Sequence, residues 1–280
     1  MCAGAARLRQ AKVRPARGAA RLGSVAVSND LAPELDFALR LADTADALTL
    51  PRFEARNFSV DLKENDTEVT EVDRACETAI MDMVRRERPH HAWYGEEHGT
   101  GGSDDAEFTW VVDPIDGTSN FVRGVQVWAT LIALVHRDAG PVVGVVSAPA
   151  LGARWWGLTE GGAYRNGSPI RVSGVSELSE ASLSIVGEQT WRDAGRADWV
   201  KHLKSTVKRV RGYGDFWQHM LVAEGAVDIA VDAIGLGPYD IAALIPVVHG
   251  AGGQVVDRGG NVNWRADTAI STNGLLNLIR

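Results

Sequence analysis

Cysteine is nearly missing from this chain: its 280 residues include only Cys2 and Cys76. Two are too few for a disulfide framework or a thiolate metal site, and a reducing cytoplasm is the expected setting. Missing too is any run of about 18 apolar residues, so no membrane-spanning helix is expected. No internal repeat or low-complexity linker breaks the sequence. What remains is an ordinary globular composition, 45% hydrophobic, sufficient for one large or two modest domains.

Acid is scarce in one stretch only. Residues 1–30 carry six Lys/Arg against the single acid Asp30, a net of +5; the whole chain carries −7, so residues 31–280 carry −12. The stretch has no apolar core of a secretory signal. Its Arg- and Ala-rich composition loosely resembles an organellar transit peptide, and a disordered extension or an upstream start codon is the plainer reading. A basic tail adheres to nucleic acid without selectivity, whereas an acidic body argues against nucleic acid as a specific ligand. The expected organisation is an extension over 1–30 and a folded body over 31–280, with two lobes that meet near residue 180.

Apolar residues at Leu35, Ala38, Leu39, Ala42, Ala45 and Leu48 predict a helix from Pro33 to Phe53 that finishes near Pro51. A second helix is predicted from about Thr70 to Pro89, packed beside the first. The texture then changes to strands, "FTWVVD", "VWATLIALVH" and "PVVGVVSAP", followed by "GGAYRNGSPIRVS", whose Asn166-Gly167 pair signals a hairpin. These strands read as one largely antiparallel sheet. Further on, "ASLSIV", "AVDIAV" and "QVVDRGGN" read as strands, and "GDFWQHMLVAEG" and "YDIAALIPVVHGAGG" as helices.

The stretch "TWVVDPIDGTSNF" joins an apolar strand to two acids. Pro114 has a fixed φ and no N–H, so it is expected to end the ladder after Val112. Asp113 and Asp116 then converge with the Ile115 carbonyl, an oxygen set that suits a hard cation such as Mg²⁺. Gly117 admits a ligand close to the backbone, and Thr118 offers a hydroxyl and an N–H at a helix start. Asp-Pro-x-Asp-Gly is equally the composition of a plain turn. The further acids are ambiguous alone: Glu96 and Glu97 in "YGEEHG" fit an exposed loop, while Asp240 in "PYDIAAL" and Asp73 in "TEVD" fit helix capping.

Together these motifs resemble the inositol monophosphatase-like family, with its G-E-E, its D-P-[IL]-D-G-T-x-N-F and its W-D-x-A-A before x-A-G-G. The resemblance implies an α/β fold, the αβαβα layered sandwich of the sugar phosphatases. It implies two or three Mg²⁺ ions per site, inhibition by Li⁺, and homodimers, which are common in the family. Carried over residue by residue, Glu96, Asp113, the Ile115 carbonyl, Asp116 and Asp240 resemble the metal ligands. Thr118 with Glu96 resembles the pair that orients the attacking water, the backbone of Gly117 and Thr118 would hold phosphate, and Asp73 matches an acid beside that water or a further metal. Lys63 stands where the family has a lysine.

The physics agrees with that resemblance, since clustered carboxylates suit a phosphate dianion only once divalent ions reverse the local potential. Residues such as Ser184 and Gln189 form no competing nucleophile-base arrangement. Within the family, "NFVRGVQVWATLIAL", "GVVSAPALGARWW" and "VRGYGDFWQHMLVAEGAVDIAV" are similar to bacterial histidinol-phosphate phosphatases of actinobacterial type. That implies a small phosphorylated metabolite carrying an amine and an imidazole, with Asp215 as the contact for one of them. Arg123, Trp128 and Trp155 are candidates to line the pocket or a subunit interface, with core packing the favoured role for each tryptophan. Inositol 1-phosphate or another small sugar or nucleotide phosphate is the second reading. A binding partner of the RNA or transcription machinery is a third, from a different class.

The chain also departs from the pattern. Tyr239 replaces the usual Trp, His249 stands near the usual Glu before A-G-G, and Asn65 and Glu68 replace an acid and a proline. Asp232 lies eight residues before Asp240, and Ala233 occupies the position seven before it, where an acid is common.

Overall fold

The computed structural model describes residues 31–63, 67–276 and 278; the readings placed on residues 1–30 and on Asn65 fall outside these. The chain opens with helix α1 (Ala32–Ala55), the antiparallel pair β1 (Val60–Leu62) and β2 (Glu68–Thr70), and helix α2 (Glu71–Glu87). Strands β3 (Ala92–Gly95), β4 (Gly99–Gly101) and β5 (Phe108–Asp116) precede the short helix α3 (Thr118–Arg123). Then come β6 (Ala129–His136), β7 (Gly140–Ala148), β8 (Ala153–Leu158), β9 (Gly162–Arg165) and β10 (Ser168–Ile170). The second half holds β11 (Ser182–Ile185), α4 (Glu188–Asp193), α5 (Ala197–Thr206), β12 (Arg209–Arg211), α6 (Asp215–Ala223) and β13 (Ile229–Val231). It closes with α7 (Pro238–Ala242), α8 (Leu244–Gly250), β14 (Gln254–Val256) and β15 (Ile270–Thr272).

The first sheet has eight strands in the order β10-β9-β8-β7-β6-β5-β3-β4, antiparallel except for the parallel pair β3 and β5. Its central strands are apolar on both faces because both faces are covered. Trp110, Val112, Ile132, Leu134, Val143 and Val145 pack on α1 and α2, while Val111, Leu131, Ala133 and Val146 face α6, α7 and α8. The second sheet has five strands in the order β12-β11-β13-β15-β14. Its Leu183, Ile185, Ile229, Val231 and Ile270 pack against Trp191, Val200 and Leu203 of α4 and α5. The layers therefore run helices, sheet, helices, sheet, helices, which is the αβαβα arrangement.

Local chemistry explains the start of α2 and the turn between β9 and β10. Thr70 caps α2: its hydroxyl accepts from the N–H groups of Val72 and Asp73, and the Asp73 carboxylate accepts in return from Thr70 N. Asn166 and Gly167, at φ 47° and 83°, make the turn that joins β9 to β10.

Helix α1 covers the expected span from Pro33 to Phe53 with one or two residues more at each end, and Phe53 is buried with Phe121 and Trp128. Two details differ from the sequence expectation. The segment after Gly237 forms two short helices, with Pro246 lacking the N–H that would bond back to Ala242. Strand β5 does not end after Val112: pairing with β6 reaches Asp113, is interrupted by a bulge at Pro114, and resumes at Asp116 opposite Ala129.

Candidate active site

That bulge creates the site. In an unbroken strand, Asp113 and Asp116 would project to opposite faces. The irregular register across Pro114 instead brings their carboxylates together, with the Asp113 side chain accepting from Ile115 N at 3.0 Å. Asp240, in the first turn of α7, completes the group. One carboxylate oxygen from each of Asp113, Asp116 and Asp240 lies within 4.8 Å of the others. Asp240 also accepts from Gly237 N at 2.6 Å, so a single side chain both caps its helix and joins the cluster.

The electrostatics are those of several acids buried close together. Burial, then the charges of Glu96, Asp116 and Asp240, push the Asp113 carboxyl well above its ordinary range. Burial, then Asp215 and Asp240, do the same to Asp116. Asp240 is pushed up to about 7, chiefly by burial. A buried group of carboxylates in this state fits a bound cation, which would supply the missing positive charge.

Glu96 enters from the turn after β3, and burial raises its carboxyl as well. The Lys63 ammonium, from the end of β1, lies 2.7 Å from oxygens of both Glu96 and Glu97. Burial opposes the charge on Lys63, but those two acids outweigh it and hold the ammonium above its usual value.

On the other flank, Asp73 is fully buried, and burial pushes its carboxyl up to about 6. Its Oδ1 lies 3.2 Å from the Thr118 hydroxyl, which is also 2.9 Å from the Ile115 carbonyl. The Thr118 hydroxyl thus has Asp73 and Ile115 as its hydrogen-bond partners, not Glu96. Gly117 has φ 82°, a left-handed conformation that lets the chain leave the strand and enter α3.

Asp215 begins α6 at φ 46°, an uncommon conformation for a residue with a side chain. Two long-range bonds hold it. Asn120, from the same motif as Asp116, donates to Asp215 Oδ2 at 2.8 Å, and Phe216 N donates to Asp116 Oδ2 at 2.7 Å. Burial, then the charge of Asp232, pushes Asp215 up to about 6. Asp232 is itself tied to the buried His219, Nε2 to Oδ2 at 3.1 Å, and His219 Nδ1 meets Ser271 Oγ at 2.7 Å.

The sequence reading thus finds Glu96, Asp113, Asp116, Asp240, Thr118 and Asp73 brought to one place. Arg123 is not part of it: the side chain is exposed and paired with Glu68 at 2.7 Å. Trp128 and Trp155 are core residues, 0% and 1% exposed, with Trp155 Nε1 donating to Glu224 at 2.5 Å. The roles of Asn120 and His219 were not visible in the sequence. Asn120 stood in the motif without an assigned partner, and a histidine inside an apolar helix carries no signal of the acid it meets.

Known proteins share both sequence and fold with this chain. Residues 30–277 match the inositol monophosphatase family. A histidinol-phosphatase of Mycobacterium tuberculosis is 46% identical over 248 residues, covering 87% of this chain and 94% of its own. A histidinol-phosphatase of Streptomyces coelicolor is 43% identical, covering 88% and 95%. Among solved structures, an inositol monophosphatase from Anabaena superposes with TM-score 0.74 at 28% identity, covering 88% of this chain and 93% of its own. On the strength of the family match and these relatives, the chain belongs to the inositol monophosphatase family.

Proposed function

We propose that the protein is a Mg²⁺-dependent phosphomonoesterase that hydrolyses L-histidinol phosphate to L-histidinol and phosphate. The observation that carries the reading is the convergence of Asp113, Asp116 and Asp240 beside a second acid pair, Asp215 and Asp232. Both named histidinol-phosphatases support the choice of substrate.

Glu96, Asp113, the Ile115 carbonyl, Asp116 and Asp240 are the oxygen ligands in this reading, a set that suits Mg²⁺. When bound, the ions supply charge neutralisation, a more acidic water and a partner for the leaving oxygen. The backbone of Gly117 and Thr118 holds the phosphate at the start of α3. Thr118 and Glu96 orient the attacking water, and Asp73 takes up its proton through the Thr118 hydroxyl. The water oxygen bonds to phosphorus as the ester P–O bond breaks, and the departing alkoxide gains a proton from solvent. Asp215 and Asp232 face the leaving group, where a cationic amine or imidazole compensates two acids better than a neutral polyol does. Among the described residues no helix is long and apolar enough to cross a membrane; with so polar a substrate, we place the enzyme in the cytoplasm.

Phosphate release from histidinol phosphate and from inositol 1-phosphate, with Mg²⁺ and with chelator, tests the reading. A chelator-sensitive, Li⁺-inhibited preference for histidinol phosphate is expected. Faster hydrolysis of inositol 1-phosphate would overturn the substrate, and undiminished turnover in chelator would overturn the metal.

A further inference from the structure

Helix α2 carries two fully buried acids one turn apart, Asp73 and Glu77. Asp73 has a place in the chemistry above, and Glu77 has none. Burying a carboxylate in a helix interior is costly unless its oxygens are paired, so its partners indicate its purpose. They are the turn that carries Glu96. Glu77 Oε2 accepts from Glu97 N and Oε1 from His98 N, both at 2.8 Å, and His98 Nδ1 lies 3.1 Å from Oε1.

The preceding residue is shaped to admit this carboxylate. A Cβ on Gly95 would stand 2.0 Å from Glu77 Oε1 and 2.3 Å from its Cδ, so any side chain at position 95 would expel it. Glycine at 95 and the acid at 77 are therefore two halves of one fitting. Only an acid serves both amides, because glutamine would turn its own NH₂ against one of them.

We propose that Glu77 is a positioning residue that fixes the Gly95-Glu96-Glu97 turn, and through it aims Glu96 at the cluster of Asp113, Asp116 and Asp240. This rests on the reading of Glu96 as a metal ligand. Groups that hold a ligand from behind govern metal affinity by about 10–100-fold. A brace that only stabilised the fold would leave that affinity untouched.

The experiment is Mg²⁺ binding by calorimetry on wild type, Glu77→Gln and Gly95→Ala, with melting temperature in chelator and the Mg²⁺ dependence of turnover alongside. Both variants are expected to weaken Mg²⁺ binding by about tenfold or more, with turnover largely regained at saturating Mg²⁺ and the KM for histidinol phosphate little changed. The pair Glu77→Asp with Gly95→Ala should bind Mg²⁺ more tightly than Gly95→Ala alone, since the shorter acid leaves room for the new methyl. Wild-type affinity in either folded single variant would overturn the proposal, and if Glu77→Gln does not fold, Gly95→Ala decides alone. Wild type that binds no Mg²⁺ would instead overturn the metal reading on which the proposal stands.

Discussion

Two neighbouring acid groups, Asp113 with Asp116 and Asp215 with Asp232, are built in different ways. Asp113 and Asp116 come from one strand end and are brought together by the bulge at Pro114 and Ile115, with Asp113 held by the amide of Ile115 in the same turn. Asp215 and Asp232 come from an early helix turn and a loop of the second half. They are held by Asn120, His219 and, through His219, Ser271, partners as far as 95 residues away. The first group is set mainly by its own strand end, although Asp116 also accepts from Phe216 N at the start of α6. The second exists only when the two sheets are assembled around α6.

If that division is correct, breaking the local group should cost far more than breaking the assembled one. Asp116→Asn keeps the shape of the side chain but removes one charge from the centre of the cluster. It should lower turnover at saturating Mg²⁺ by about 10³-fold, beyond the 10–100-fold attributed to residues that merely support a ligand. Circular dichroism should be unchanged, and near-normal turnover would erase the distinction between the two groups. Asp215→Asn should act on discrimination instead. The ratio of kcat/KM for histidinol phosphate to that for inositol 1-phosphate should fall by about tenfold or more, as for loss of a desolvated charge partner. An equal loss on both substrates would mean that Asp215 serves the shared chemistry.

The same division decides what could be read in the sequence. The turn at Gly117 and the α2 capping box are made by neighbours in the chain, so "DPIDGTSNF" and "TEVD" announce them. Even there the strand was expected to stop at Pro114, because the fixed φ and missing N–H of proline are visible in sequence while resumed pairing to Ala129 is not. Asp240 was legible as a candidate but also as a cap, and the structure shows it capping α7 with its carboxylate in the acid cluster. Glu77 carries no signal in the sequence, since its partners Glu97 and His98 belong to another element. His219 was hidden for the same reason. Asp232 had been noticed only for standing one place away from the expected acid, and its tie to His219 gives that displaced position a fixed geometry.

A smaller effect should follow from cutting that tie. His219→Asn shortens the link between Ser271 and Asp232 and leaves a buried acid with one partner fewer. A loss of about 1–3 kcal/mol in unfolding free energy is expected, together with a rise in KM for histidinol phosphate that exceeds any fall in kcat. A change confined to stability would show that Asp232 needs no positioning.

The smallest effect separates the two sheets by pH. His249, at the end of α8, accepts from Val255 N at 3.2 Å and so joins the middle helices to β14 of the second sheet. Burial pushes this imidazole down to about 4 from an ordinary value of 6.5. The folded state therefore favours neutral His249, while the unfolded chain takes up a proton below about 6.5. The stability it contributes is complete above that value and drains away as the pH falls toward 4. Between pH 7 and 5 the loss from this group is on the order of 1–2 kcal/mol. Urea midpoints should fall over that range in the wild type and fall less in His249→Gln, which titrates no proton there. Hydrogen exchange should show β14 and β15 loosening before the central strands of the first sheet, because the bond at risk ties only the second sheet to the helices. Uniform loosening of both sheets at pH 5 would mean that the site's two halves, though built differently, are held as one unit.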